Sequence, residues 1–313
     1  MSEQKSLFNC SVQSSFRALN LKQSSSSPSS IGILTTRAVG AHMKENRSEK
    51  PLPGTSLHDS HHAISEFKFQ LIGGGERSFH YRNNHSSDRD VIRQIFVNRD
   101  YDLTPFQQTQ YLKRFASTPE HQQKKLLVID AGANIGASAV YFTQIDRRIH
   151  VCAIEPEESN FELLELNCAG MPVSTIRAAL SADREELWLS DPGLSHWGYR
   201  VGPTGGQSKV EAFSVLDLLQ NFPPDNYLPA ICKIDIEGGE ERLFSRNDAW
   251  LDLFPLVIIE LHDWMLPGRA SSGNFMRAIG RRNFDVINFR ENLFCFNNEL
   301  IRKSSGRSNS SVA

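Results

Sequence analysis

Long apolar runs are missing from this chain: no stretch of its 313 residues approaches the roughly 20 that a membrane span needs. An excess of either charge is missing too. Against 34 basic residues stand 36 acidic ones, a net charge of −2, so the basic footprint of a nucleic-acid-binding surface is absent. The five cysteines (Cys10, Cys152, Cys168, Cys232 and Cys295) show no C-x-x-C spacing. They read as a buried, reduced set, three of them in strands, of an intracellular protein. The N-terminal region has no apolar core of about 7–15 residues, which argues against a secretory signal. It also lacks acid: none lies between Gln4 and Lys44, whereas Lys5, Arg17, Lys22, Arg37 and Lys44 are basic and Ser24 to Ser30 is nearly all serine. Such composition fits an organellar transit peptide or a disordered extension upstream of a start at Met43. Residues 1–60 are therefore expected to be a disordered extension, and the location cytoplasmic, or an organelle if residues 1–44 are a transit peptide.

The rest of the composition is ordinary: 39% apolar and 22% charged residues are ample for a sizeable core. One large domain is expected over residues 61–300, followed by a polar tail over 301–313. Alternation at Phe67, Phe69 and Leu71, three glycines at 73–75, and Phe79 and Tyr81 predict a hairpin with a glycine turn. Asp88 can cap a helix whose Val91, Ile92, Ile95 and Phe96 share an apolar face, and a second helix is expected over Pro105 to Phe115.

The stretch that organises the chain is Leu126 to Ala137, LLVIDAGANIGA. Its apolar start reads as a strand buried on both faces. The strand stops at Asp130 and turns through Gly132, Asn134 and Gly136 into a helix, where glycines let backbone approach a ligand and free N–H groups face the strand's carboxyl end. About 20 residues on, a second strand, Ile149 to Ile154, ends in Glu155-Pro156, and an acid there suits the hydroxyls of a ribose. The pattern points to a nucleoside cofactor. It departs from the dinucleotide fingerprint G-x-G-x-x-G, since Asn134 and Ala137 replace the second and third glycines. Asp130 would repel a pyrophosphate and favour a cofactor with a cationic amino group, such as S-adenosylmethionine (SAM).

Further strands are expected at Val173 to Ala179, Ile231 to Ile236, Leu256 to Leu261, Phe284 to Phe289 and Leu293 to Phe296. An antiparallel excursion pairs Leu187 to Ser190 with Val210 to Phe213, and Val215 to Leu219 is helical. Strands alternating with helices, then a late strand pair, mean a mainly parallel sheet with an antiparallel edge. In the string Lys233-Ile-Asp-Ile-Glu-Gly-Gly-Glu240, strand alternation puts Lys233, Asp235 and Glu237 on one face. Glu260 and His262 share a face of the next strand. If these strands are neighbours, three carboxylates and an imidazole crowd one spot at the ligand-binding edge. The alternative is a self-satisfied ion-pair network in which Lys233 neutralises an acid and His262 caps backbone.

These strings, with Asp130-Ala-Gly-Ala-Asn-Ile-Gly136, Glu155-Pro156 followed by Asn160 and Asn167, and a lead-in at Asp88, Arg93 to Phe96 and Asp100-Tyr101, resemble the FkbM family of SAM-dependent methyltransferases. The resemblance spans roughly Glu66 to Asn298. It implies an α/β fold, the seven-stranded, mainly parallel, Rossmann-like sheet of SAM-dependent methyltransferases, here preceded by a hairpin-helix extension. It also implies O-methylation of a hydroxyl on a sugar, glycan or natural product. By carry-over, Asp130, Ala131, Gly132, Ala133, Asn134, Gly136, Glu155 and Pro156 would hold SAM, and Asp235, Glu237 and His262 would surround the acceptor.

Methyl transfer to an alkyl hydroxyl needs a positioned proton acceptor, for which His262 comes first, then Asp235 or Glu237. A cation bridging the carboxylates is conceivable because hard oxygen ligands suit Mg²⁺, but protein carboxylates alone rarely supply such a site, so no metal ligand is assigned. Two rivals stand: a catalytically silent SAM-binding scaffold of the same fold, and an NAD-dependent oxidoreductase, which Asp130 and the lost glycine oppose.

Overall fold

The computed structural model describes residues 64–71, 75–191 and 199–303. The N-terminal 63 residues, including the serine-rich segment, lie outside the described residues, as do residues 304–313.

The hairpin is present as β1 (Ile64–Gln70) and β2 (Glu76–Arg82), antiparallel, with Leu71 N–H bonded to Gly75 O; most of its expected glycine turn lies outside the described residues. The next element is α1 (Ser86–Ile92), which widens into a π-turn over Arg93–Asn98 and buries Val91, Ile92, Ile95 and Phe96 as expected. Asp88 does not cap it. It lies inside α1, fully buried, its carboxylate accepting from the backbone N–H, Nε and Nη2 of Arg82 at 2.8–2.9 Å. A guanidinium fork gives a carboxylate more hydrogen bonds than one free N–H at a helix start. The helix α2 covers Thr109–Ala116 and begins later than the expected Pro105.

The core alternates β3 (Lys125–Ala131), α3 (Ala137–Thr143), β4 (Ile149–Ile154), α4 (Glu158–Cys168) and β5 (Val173–Ile176). The expected third strand breaks after Ile176, because the chain crosses into a second sheet at β6 (Ala179–Leu180). That four-stranded sheet holds β7 (Glu185–Ser190), β8 (Arg200–Gly202) and β9 (Ser208–Phe213), and its β7–β9 pair is the expected antiparallel excursion. After it come α5 (Val215–Leu219), β10 (Tyr227–Ile234), α6 (Glu240–Leu243), β11 (Leu256–Glu260) and α7 (Gly273–Gly280). The last elements are β12 (Phe284–Phe289), β13 (Asn292–Asn297) and α8 (Asn298–Lys303). The expected polar tail therefore starts later than residue 301: Ile301 is buried in the core under α8.

The main sheet has seven strands in the order β12-β13-β11-β10-β3-β4-β5, parallel except for β13, which runs antiparallel to both neighbours. β3 sits inside the sheet, between β10 and β4, because both its faces are apolar. Leu126 and Val128 pack into one core layer, and Leu127, Ile129 and Ala131 into the other. The chain leaves β3 for β4 on one side and returns to β10 on the other, so a crevice opens at the strands' carboxyl ends, where open α/β sheets bind ligands. Cys152, Cys168, Cys232 and Cys295 are free and buried. No helix among the described residues is long and apolar enough to cross a membrane.

Candidate active site

β3 and β10 pair in parallel with Asp130 opposite Lys233. The Lys233 ammonium lies 3.1 Å from Asp130 Oδ1, and the side chains are 2% and 0% exposed. Ser138 Oγ donates to the other Asp130 oxygen at 2.6 Å. Lys233 Nζ also donates to the carbonyls of Gly132 (2.7 Å) and Ala131 (3.2 Å). Burial alone would lower the lysine's pKa; the Asp130, Tyr101 and Asp235 charges outweigh it and hold the ammonium charged. Asp130, expected to face the cofactor's amino group, thus spends its charge on Lys233 and pins the loop after β3 from below.

That loop is built tightly. Gly132, at φ +74°, lies so close to the end of β10 that a Cβ there would stand 1.7 Å from the Asp235 carbonyl oxygen. Its N–H and that of Ala133 both reach Ile154 O at 3.0 Å, tying the loop to β4. Gly136, also at positive φ, is packed against Leu164 of α4. Glu155 follows β4. One of its oxygens accepts from Asn134 N–H at 2.9 Å and the other from Glu157 N–H at 3.0 Å. Burial raises its pKa to about 7, against the pull of those two N–H donors.

A cavity of about 910 Å³ opens above these strand ends. Of the residues expected to hold the cofactor, Gly132, Ala133, Asn134, Glu155 and Pro156 line it; Asp130, Ala131 and Gly136 do not. Hydrogen-bonding capacity on one side and burial on the other explain the division: the loop's crest faces the cavity while its base is locked into β10 and α4.

Lys233, Asp235, Glu237, Glu260 and His262 also line the cavity. The three expected acceptor-side residues come together, though not through strand alternation. β10 ends at Ile234, and the chain then turns through Glu237 at φ +54° and Gly238 at φ +94°. β11 likewise ends at Glu260, two residues before His262. The imidazole is 1% exposed; its Nδ1 donates to Glu240 Oε1 at 2.9 Å. Its Nε2 faces Glu237 Oε2 at 3.4 Å, and Asp235 Oδ1 and Glu260 Oε1 at 3.6 Å each. Burial disfavours the imidazolium, but the Glu240 hydrogen bond and the charges of Asp235, Glu240 and Glu237 push the His262 pKa up to about 10. Burial, then the Asp235 charge, raises both Glu237 and Glu260 to about 8.

Glu240 is the neighbour of His262 that strand reasoning misses. It lies on α6 beyond the turn, where period-two alternation no longer applies, and its only sequence signal is the acid that closes the Lys233–Glu240 string. Trp264, 73% exposed, also borders the cavity from the short helix after His262.

The family model for the methyltransferase FkbM domain matches residues 130–286, half of the chain, from the Asp130 loop into β12. No curated protein matches. Among solved structures, the fibrillarin pre-rRNA processing protein of Methanococcus jannaschii aligns at 11% identity with a TM-score of 0.36, over 82% of this chain and 90% of that one. A methyltransferase from Geobacter sulfurreducens aligns at 14% identity and a TM-score of 0.31, over 66% and 87%. The precorrin-6y C5,15-methyltransferase of Geobacter metallireducens aligns at 9% identity and a TM-score of 0.31, over 60% and 84%.

Proposed function

The chain belongs to the FkbM methyltransferase family, and from that premise we propose that it uses SAM to methylate a hydroxyl group of a sugar, glycan or natural product. The observation that carries this reading is one cavity lined by two unlike sets of groups: Gly132–Asn134 backbone and the Glu155 carboxylate, and Asp235, Glu237 and His262. Its volume of about 910 Å³ is at the upper end of small-molecule sites, roughly 300–1,000 Å³, with room for a nucleoside cofactor and a second reactant.

Glu155 accepts the ribose hydroxyls, and the loop backbone at Gly132 to Asn134 approaches the nucleoside closely. Asp130 is a positioning residue that acts through Lys233 and Ser138. With Asp130 neutralised by Lys233, the Asp235 carboxylate is left to favour a cationic sulfonium.

The methyl group of SAM is already activated, so the protein's work is to align the acceptor oxygen and exclude water. A hydroxyl acceptor must also lose its proton, to a group within hydrogen-bond reach. The order expected from sequence turns round here. His262 already holds a proton at neutral pH, at a pKa of about 10, and an imidazolium cannot accept another. Asp235, at 26% side-chain exposure, is open to the cavity and takes the proton-accepting role, with His262 as its electrostatic partner.

The test is transfer of labelled methyl from SAM into hydroxylated metabolite extracts, by wild type and by Asp235→Asn. Label in a hydroxyl-derived methyl ether, reduced at least about 100-fold in the variant, is the expected result. Label found only on nitrogen or carbon would overturn the O-methylation reading.

A further inference from the structure

The His262 imidazole has a geometry that proton transfer leaves unexplained. Its Nδ1 is committed to Glu240 at 2.9 Å, which turns Nε2 toward three carboxylate oxygens, of Glu237, Asp235 and Glu260, at 3.4–3.6 Å. Those distances exceed a normal N–H···O hydrogen bond of roughly 2.7–3.2 Å. In the metal-free protein a proton on Nε2 faces those oxygens; a metal ion, whose binding releases protons from its ligands, can take its place, and Lys233 is already engaged by Asp130 at 3.1 Å.

We propose that Asp235, Glu237 and His262 bind a first-row transition-metal dication of the Mn²⁺ or Zn²⁺ class, with Glu240 as the positioning residue that orients the imidazole. One ligand atom from each of the three residues lies within 4.8 Å of the others. Ligands about 2.1 Å from a metal stand roughly 3.4 Å apart at the corners of a tetrahedron, which is the spacing of His262 Nε2 and Glu237 Oε2, 3.4 Å. A carboxylate behind a metal-bound histidine fixes its tautomer and ring plane, and Glu240, fully buried, stands in that position. Glu260 supplies a further oxygen to the ion or to a water on it. The mixed nitrogen and oxygen donor set favours a transition ion over Mg²⁺ or Ca²⁺, which take oxygen ligands. All three ligands border the cavity, so the ion's remaining positions face the space assigned to the acceptor. Polarising an acceptor hydroxyl there is a consequence that rests on the methyltransferase reading; the binding itself does not.

The experiment titrates Mn²⁺ into the chelator-treated full chain and follows free Mn²⁺ by electron paramagnetic resonance. S-adenosylhomocysteine (SAH) binding is measured separately on the same samples. The expected result is one Mn²⁺ per chain, not displaced by a tenfold excess of Mg²⁺, with nitrogen hyperfine coupling from a bound imidazole. His262→Ala, Glu237→Gln and Asp235→Asn should each abolish the site or weaken it more than about 100-fold, and Glu240→Gln should weaken it roughly 10–100-fold, while Glu211→Gln leaves it unchanged. Absence of a bound Mn²⁺ and of a bound Zn²⁺, equal competition by Mg²⁺, or a wild-type spectrum without nitrogen coupling each overturns the proposal. The nitrogen signal needs no variant, so a variant that fails to fold does not blunt the test. Metal binding without SAH binding would sink the methyltransferase reading and leave the metal site standing.

Discussion

Lys233 and Asp130 neutralise each other inside the fold, opposite one another on adjacent parallel strands, with 3.1 Å between Nζ and Oδ1. The same ammonium holds the carbonyls of Ala131 and Gly132, so one buried charge shapes the loop that forms a wall of the cavity. Removing either partner leaves a buried, uncompensated charge, which typically costs about 3–5 kcal/mol. Asp130→Asn and Lys233→Met should each lose that much in urea unfolding, and the double variant should lose less than the sum. Single losses below about 1 kcal/mol would mean that the pair does not organise the loop.

Gly132 and Gly170 offer a comparison at equal backbone geometry. Both have φ between +72° and +74°, but a Cβ meets the Asp235 carbonyl oxygen at 1.7 Å in the first case and nothing within 4 Å in the second. Gly170→Ala should cost about 1–2 kcal/mol for the left-handed backbone alone. Gly132→Ala should cost about 3 kcal/mol or more, since overpacking adds to that strain. Equal melting temperatures for the two variants would show that the loop moves freely away from β10.

Arg82 and Asp88 join the N-terminal hairpin to the cofactor side of the sheet. Besides its fork on Asp88, the guanidinium donates to Ser159 Oγ at 2.8 Å and to Asn160 Oδ1 at 2.6 Å. Both partners lie at the start of α4, just beyond Glu155. Asp88→Ala should therefore destabilise the whole domain by about 3–5 kcal/mol and expose hairpin and α4 amides to hydrogen exchange together. Faster exchange confined to α1 would assign the pair a local role only.

The parts legible in the sequence are those where an apolar pattern holds over a whole strand. The hairpin shows period-two alternation and β3 a continuous apolar run, whose alternate residues enter two core layers; the β7–β9 pair and the late strands were legible as short apolar segments. Glu155 was legible because an acid closing the second strand has one direction to face. Alternation stops informing where a strand ends. Glu237 and His262 reach the cavity through turns that follow Ile234 and Glu260, so their meeting was foreseen by a rule that did not apply to them. Asp130 was misjudged because a sequence shows a charge at a loop but not the long side chain, Lys233, that arrives from the neighbouring strand to cancel it. The crossing from β5 into the second sheet and the burial of Ile301 depend on tertiary contacts that no local pattern encodes.

As the proposed acceptor of the ribose hydroxyls, Glu155 should make cofactor affinity depend on pH. Its folded pKa, about 7, lies above the ordinary value of 4.5. Ionising it in the ligand-free protein therefore costs stability as pH rises from 4.5 through 7, and the contribution is fully favourable only below that window. Ribose hydroxyls donate to the ionised form, so SAH should bind roughly tenfold more tightly at pH 8 than at pH 6, following the ionised fraction. In Glu155→Gln, calorimetric affinities should be weaker and flat across that range. A wild-type profile equally flat would remove Glu155 from the cofactor site.

The central claim is that the cavity above β3 and β4 holds a SAM-type cofactor. Isothermal titration of the full chain with SAH and, separately, with NAD tests it most directly, each repeated on Glu155→Ala. The account predicts one SAH per chain, no heat from NAD, and weakening by about 1.5–3 kcal/mol in the variant, the range for a hydrogen bond to a charged group. Binding of NAD without SAH, or SAH affinity untouched by Glu155→Ala, would contradict it.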